Sequence, residues 1–228
     1  MENHGNALLL QIDEQVTRRH LLKHPFYQDW QAGRLDRAAL QLYAGQYYRH
    51  VEAFPKHLRR LAERAHGELR ELIQENLAEE ENPRRTHPQL WRDFAAAVGT
   101  TAESLDHSPA LPGVQVLVDT YRVICGECPL AEVVAALYVY EAQVPEIATQ
   151  KIAGLRHFYG VTDPGGLAYF AVHEEADVRH RAAWRNWLAQ DGTASFEGVL
   201  RTADEALLAL WGSSGRGVHS AGLEWHAG

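Results

Sequence analysis

Residues 169–187 read YFAVHEEADVRHRAAWRNW. A helix in a globular protein buries one stripe, and that stripe steps by three and four residues. Stepping from Phe170 gives His173, Asp177, His180, Trp184 and Trp187. The aromatic ends of this line belong in a core, but its middle is His, Asp, His. Glu174, Glu175, Arg179, Arg181 and Arg185 fall off the line and form a solvated face. Burying an acid without a partner costs several kcal/mol. A bound cation offsets such a cost, and all three central residues are metal-ligand types. The stretch therefore reads as a long helix that turns part of a metal site toward the inside of a helical protein.

The same periodicity runs through the rest of the chain. Leu8, Leu9, Ile12 and Val16 line a helix over 7–22, followed by a turn at Lys23-His24-Pro25. A helix over 36–64 carries Leu40, Tyr43, Tyr47, Val51, Phe54, Leu58 and Leu61, and Pro55 is expected to kink it. Further helices are expected over 66–82, stopped by Pro83, from His87-Pro88 to Gly99, and over 113–126. Others follow over 129–155, interrupted near Pro145, over 166–190 and over 195–211. Residues 100–112, with two prolines, read as a loop. There is no alternating strand pattern, no repeat and no long linker. The expected fold is all-α, one domain of seven or eight helices over 1–211, with 212–228 (GSSGRGVHSAGLEWHAG) as a flexible tail.

Composition narrows the function. Of 228 residues 46% are hydrophobic, enough for a sizeable core. The net charge is -8 with Lys and Arg scattered, which argues against nucleic acid or an anionic membrane as main partner. No apolar run approaches the ~20 residues of a membrane span. The N-terminus, MENHGNALLLQIDEQ, has no basic region ahead of its apolar patch, so a cytoplasmic location is expected. Cys125 and Cys128 in ICGECP lack a second ligand pair for zinc and a βαβ context for redox work. They read as small residues near a helix end.

Other apolar seams are also broken by acids. On the 129–155 segment the inward line is Val134, Leu137, Glu141, Val144, Ala148 and Ile152. On 66–82 the line Leu69, Ile73, Asn76, Leu77 points next to Glu80, with Glu79 or Glu81 reachable by a small phase error. His87 follows after a short break. Each residue has a plain alternative. An inward His is more often a satisfied core histidine, His87 is a candidate helix-start residue, and Glu141 has Lys151 or an Arg as candidate partners. Together, three apolar seams broken by ligand types form a set: Glu80, His87, Glu141, His173, Asp177 and His180. Such carboxylate and imidazole donors suit a pair of Fe(II) or Mn(II) ions, and helical bundles host such pairs from inward positions.

The pattern Glu80-x6-His87, Glu141, His173-x3-Asp177-x2-His180 resembles the haem-oxygenase-like dimetal oxidases, which share an all-α fold with TenA thiaminases and the quinone-biosynthesis protein PqqC. More narrowly, the chain resembles the CADD-like para-aminobenzoate synthases. The matching runs are HPFYQDW, YAGQYYRHVEAFP, NLAEEEN, YVYEAQVPEIATQKIAGL and the opening stretch, from about residue 20 to 190. The resemblance implies two metal ions, Fe/Fe or Mn/Fe, that activate O2 with electrons from an external reductant. It also implies single-turnover synthesis of the folate precursor from the protein itself. Tyr27 would supply the aromatic ring, Lys151 would donate the amine, and Tyr43 would be an accessory or radical-relay tyrosine. A homodimer is compatible with this reading.

The residues alone leave these three open. Tyr43 also fits as core on a line with Tyr47 and Val51, Tyr27 as a packing anchor in a turn after Pro25, and Lys151 as a surface lysine beside its seam. Three other functions compete. One is a dimetal oxygenase acting on an external small molecule. Another is a cofactorless PqqC-like or TenA-like enzyme. The third is a non-enzymatic interaction protein.

Overall fold

A computed structural model describes residues 2–191 and 194–214, with side chains from residue 5 onward. Among them are eleven α-helices, one 3₁₀ turn and no strand, an all-α architecture. The helices are α1 (Glu2–Arg18), α2 (Pro25–Gln31), α3 (Arg37–Arg64), α4 (Gly67–Glu80), α5 (His87–Ala97) and α6 (Ala102–His107). They continue with α7 (Pro112–Glu127), α8 (Leu130–Glu141), α9 (Val144–His157), α10 (Pro164–Gln190) and α11 (Phe196–Ser213). The 3₁₀ turn is Leu21–Lys23. No helix of the described residues is long and apolar enough to cross a membrane.

The count exceeds seven or eight because short elements hide from periodicity. Helix α2 starts at the last residue of the turn expected at Lys23-His24-Pro25, and α6 lies within the loop expected at 100–112. Each has local start signals: the His24 ring accepts from Phe26 N–H ahead of Pro25, and Thr101 accepts from Ser104 N–H. Tyr27 therefore sits on a helix rather than in a turn. The long segment at 129–155 is two helices. Pro145 has no N–H, and its ring crowds the carbonyl four residues back, which is that of Glu141. Helix α8 accordingly ends at Glu141. Pro55, by contrast, lies inside an unbroken α3. Helix α11 runs past Trp211 to Ser213, and the rest of the expected tail, 215–228, lies outside the described residues.

Helix α8 is the axis of the fold. Every residue from Ala131 to Glu141 is buried, as expected for a helix that is apolar all round. Helices α10 and α11 pack on it, α7 packs on α11 and α3, and α9 and α5 pack on α10. Helix α3 also carries α4 and α5. Four helices that bear candidate ligands, α4, α5, α8 and α10, thus surround one interior.

Candidate metal centre and tyrosine–lysine cluster

All six sequence-expected ligands are buried, each at most 8% exposed. They fall into two groups. Glu80, His87 and His173 offer ligand atoms within 4.8 Å of one another, and so do Glu141, Asp177 and His180. The His-Asp-His run of α10 is therefore shared: His173 joins the first group, and Asp177 and His180 join the second. Glu80, not Glu79 or Glu81, is the buried acid of its run. Helix ends place three of the six. Glu80 is the last residue of α4 and Glu141 the last of α8. His87 is the first of α5, whose start is fixed by a Thr86–Gln89 capping box.

Hydrogen bonds orient several of these groups. His173 Nδ1 lies 2.6 Å from the Tyr169 carbonyl, which can only accept, so Nδ1 carries the proton and Nε2 keeps its lone pair. Glu141 accepts from Asn76 Nδ2 at 2.8 Å on one oxygen and from the Trp184 indole N–H at 2.6 Å on the other. Among the described residues, neither Lys151 nor an Arg is its partner. Burial, then the Asp177 charge, pushes the Glu141 carboxyl up to about 8, against the pull of His180, Asn76 and Trp184. Burial alone would lower His180, but the Asp177, Glu141 and Glu79 carboxylates around it outweigh that and raise it to about 9. Burial lowers His173. Three buried atoms of the set, His87 Nδ1, Asp177 Oδ2 and His180 Nε2, make no hydrogen bond, although His87 Nδ1 is 2.9 Å from Glu80 Oε1. Buried polar atoms are normally paired, so these invite a ligand.

Next to the two trios lies a second cluster. Lys151 is 5% exposed, not a surface lysine. Its amine donates to Tyr43 Oη and sits 5.1 Å from the Tyr27 ring centroid, 4.4 Å from that of Tyr43 and 5.5 Å from that of Trp30. Burial brings its titration down to about 7. Burial also raises Tyr27 to about 12, moderated by hydrogen bonds to Ser214 and Tyr43. Tyr43 is thus both core and hydrogen-bonded neighbour of the amine and the Tyr27 phenol. A cavity of about 30 Å³ is lined by Tyr27, Lys151 and His173 together, which joins this cluster to the first trio.

Some residues escaped the sequence reading. Asn76 was a polar break in an apolar seam, so its signal was visible; its partner Glu141 was not. Tyr47, Tyr140 and Tyr169 lie between the clusters. Tyr47 and Tyr140 share a 3.3 Å hydroxyl contact, and Tyr169 stacks 4.3 Å from His173. His50 is fully buried beside Tyr47 and Tyr140 with neither ring nitrogen hydrogen-bonded, and burial lowers it to about 3. Cys125 and Cys128 end α7 as free thiols, and burial pushes Cys125 up to about 12.

A family model described as iron-containing redox enzyme matches residues 41–211. The chain is 39% identical over 202 residues to the 4-aminobenzoate synthase of Chlamydia pneumoniae, covering 88% of this chain and 90% of that protein. It is 40% identical over 190 residues to the 4-aminobenzoate synthase of Nitrosomonas europaea, covering 78% and 77%. A pyrroloquinoline-quinone synthase of Xanthomonas campestris is 28% identical over 65% of the chain. Among solved structures, a TenA homologue from Pseudomonas syringae superposes with a TM-score of 0.73 at 17% identity, over 90% of each chain. The TenA homologue of P. horikoshii gives 0.72 at 15%, over 93% of this chain and 98% of the other. These two likenesses speak to the fold.

Proposed function

This chain belongs to the iron-containing redox enzyme family, and on that premise we propose that it makes 4-aminobenzoate from its own Tyr27, with Lys151 as amino donor. The observation that carries the reading is the shared cavity: Tyr27 and Lys151 face each other in it, and His173 forms part of its wall. The relatives named 4-aminobenzoate synthase supply the product. Carbon for carbon, a tyrosine side chain matches that product. Cβ corresponds to the carboxyl carbon and Cζ to the carbon bearing nitrogen. The conversion needs the Cα–Cβ bond broken, Cβ oxidised to a carboxyl with O2 as oxidant, the Lys151 Cε–Nζ bond cleaved as its nitrogen moves to Cζ, and the phenolic oxygen released as water.

Glu80, His87 and His173 would hold one metal ion, and Glu141, Asp177 and His180 the other. The oxygen and nitrogen donor set, and the buried atoms left without hydrogen bonds, fit divalent iron or manganese. When bound, an Fe/Fe or Mn/Fe pair supplies O2 activation, with electrons from an external donor. The protein's own residues do the rest. His173 presents Nε2 because Tyr169 O holds the Nδ1 proton. Asn76 and Trp184 fix the plane of the Glu141 carboxylate. Lys151, enclosed by aromatic rings, is substantially unprotonated near neutral pH and so carries a usable lone pair. Tyr43 stands hydrogen-bonded to both the amine and the Tyr27 phenol, where it can take or pass on a proton.

Space favours an internal substrate. Pockets for external small molecules run to roughly 300–1,000 Å³, whereas the cavity beside Lys151 is about 30 Å³. The same argument disfavours a bound heterocycle. The test is peptide mass spectrometry after incubating the protein with iron, reductant and O2. The expected result is 4-aminobenzoate together with loss of the Tyr27 side chain. Product formed with Tyr27 intact would overturn the reading.

A further inference from the structure

Gln143 is fully buried in the two-residue break between α8 and α9. Its side-chain oxygen accepts the Leu21 backbone N–H at 2.8 Å, and its side-chain nitrogen donates to the Val139 carbonyl at 2.8 Å. One partner only donates and the other only accepts, so the orientation of the amide is fixed by chemistry. Leu21 opens the 3₁₀ turn that leads through His24 into α2 and Tyr27. Val139 is on α8 just before Glu141, and Val144 opens α9, which carries Lys151. One amide thus joins the helix of Glu141, the start of the Lys151 helix and the approach to Tyr27. At the other end of α2 the Trp30 indole N–H donates to the Lys151 carbonyl at 3.3 Å. Helix α2 is seven residues long, below the ~12–15 at which an isolated helix becomes even marginally stable. It must be held from outside, and Leu21 and Val144 line the same cavity as Tyr27 and Lys151.

We propose that Gln143 is a positioning residue that seats α2 so that the Tyr27 ring closes over the Lys151 amine. Its catalytic meaning rests on the function proposed above; its geometry does not. The groups facing the amine are Tyr27 and Trp30 from α2, Tyr43 and Tyr47 from α3, and Phe170 from α10, with His173 of α10 on the cavity wall. Burial raises the three tyrosines and lowers the histidine, so all are neutral near pH 7. The titration of the amine therefore reports how completely α2 excludes water from it.

The chain has three lysines, Lys23, Lys56 and Lys151, so Cε-labelled lysine gives a simple NMR spectrum in which Lys151 can be titrated directly on the full chain. Gln143→Met keeps the side-chain length and removes both hydrogen bonds. Leu21→Pro removes the N–H donor along with the buried leucine side chain, the latter controlled by Leu21→Ala, and His20 is already extended at φ -60° and ψ 127°, as a residue before proline requires. Both variants are expected to raise the Lys151 midpoint from about 7 by roughly a pH unit or more, toward the ~10.4 of free lysine. Leu21→Ala, which keeps the N–H, should leave it near the wild-type value. An unchanged Lys151 midpoint in Leu21→Pro, whether or not Gln143→Met folds, overturns the proposal. So does an equal rise in Leu21→Ala. Absence of 4-aminobenzoate from the wild-type protein would sink the functional reading and leave this titration untouched.

Discussion

Replacing Lys151 with Met should stop synthesis and, below neutral pH, make the protein more stable. The amine titrates at about 7 in the fold against 10.5 in a free side chain, because burial penalises the ammonium. At ~1.4 kcal/mol per pH unit, that places an upper bound of about 5 kcal/mol on the cost of keeping the lysine there. A base whose folded titration is lowered destabilises the fold wherever the unfolded chain binds its proton. The cost is complete below pH 7, shrinks between about 7 and 10.5, and is gone above that. Methionine is of similar length, flexible and uncharged, so it removes the cost. It also removes the hydrogen bond from the amine to Tyr43 Oη, worth about 1 kcal/mol. The net expectation is a gain of about 3–4 kcal/mol below neutral pH, falling steadily as pH rises and turning into a loss of about 1 kcal/mol in strong alkali. Denaturant unfolding of the two metal-free proteins side by side measures this, and groups common to both cancel in the difference. A Lys151→Met protein less stable than wild type near pH 6, or a gap that stays constant from about pH 6 to 10, would refute the claim that the amine is enclosed and largely neutral.

Three shorter predictions accompany it. Gly154→Ala would put its Cβ 2.7 Å from Cδ1 and Nε1 of the buried Trp30; thermal unfolding should show a loss of about 1–3 kcal/mol, with lower product yield. Trp184→Phe removes one of the two donors on Glu141 and should weaken metal binding by about 10–100-fold in a chelator competition, whereas an unchanged affinity would mean that Glu141 is not a ligand. His87→Ala and His180→Ala lie in different trios, so elemental analysis should show each losing about one of two metal equivalents. Full metal content in both would remove the basis for the two-site assignment.

The long helices and their inward faces were legible because each buries a stripe over several turns, and a period repeated that often overwhelms local noise. His173, Asp177 and His180 stand out for the same reason. Short helices α2 and α6 were not legible: a single turn or two shows no period, and only capping by His24 and Thr101 marks them. The burial of Lys151 was left open by the residues alone for a different reason. It lies beside the apolar line of α9, and burial there comes from α2, α3 and α10 closing over that flank, which no local pattern encodes. The partners of Glu141 share this limit. Asn76 and Trp184 are about 65 and 43 residues away along the chain, and neither Asn76, a polar break in its seam, nor Trp184, a core aromatic on its stripe, points locally to Glu141.

Backbone electrostatics add an argument for cations that side-chain spacing alone does not contain. The C-terminal end of a helix carries about half a negative charge. Glu80 and Glu141, one from each trio, are the terminal residues of α4 and α8. Pro83 and Pro145 lie just beyond them and help to end those helices where they do. Each carboxylate is therefore buried against the negative end of its own helix, a placement that destabilises the anion unless positive charge is nearby. Only His87, at the start of α5, comes from a helix end of the opposite sign. In the Glu141 trio, burial and the Asp177 charge raise Glu141, and the surrounding carboxylates raise His180, so without metal the charge there is offset in part by protons. A divalent ion in each trio would neutralise two carboxylates or one carboxylate and a helix end without requiring those protons. The prolines thus bear on the proposed chemistry through the backbone: by helping to end two helices at glutamates, they add negative potential that would favour the proposed metal ions.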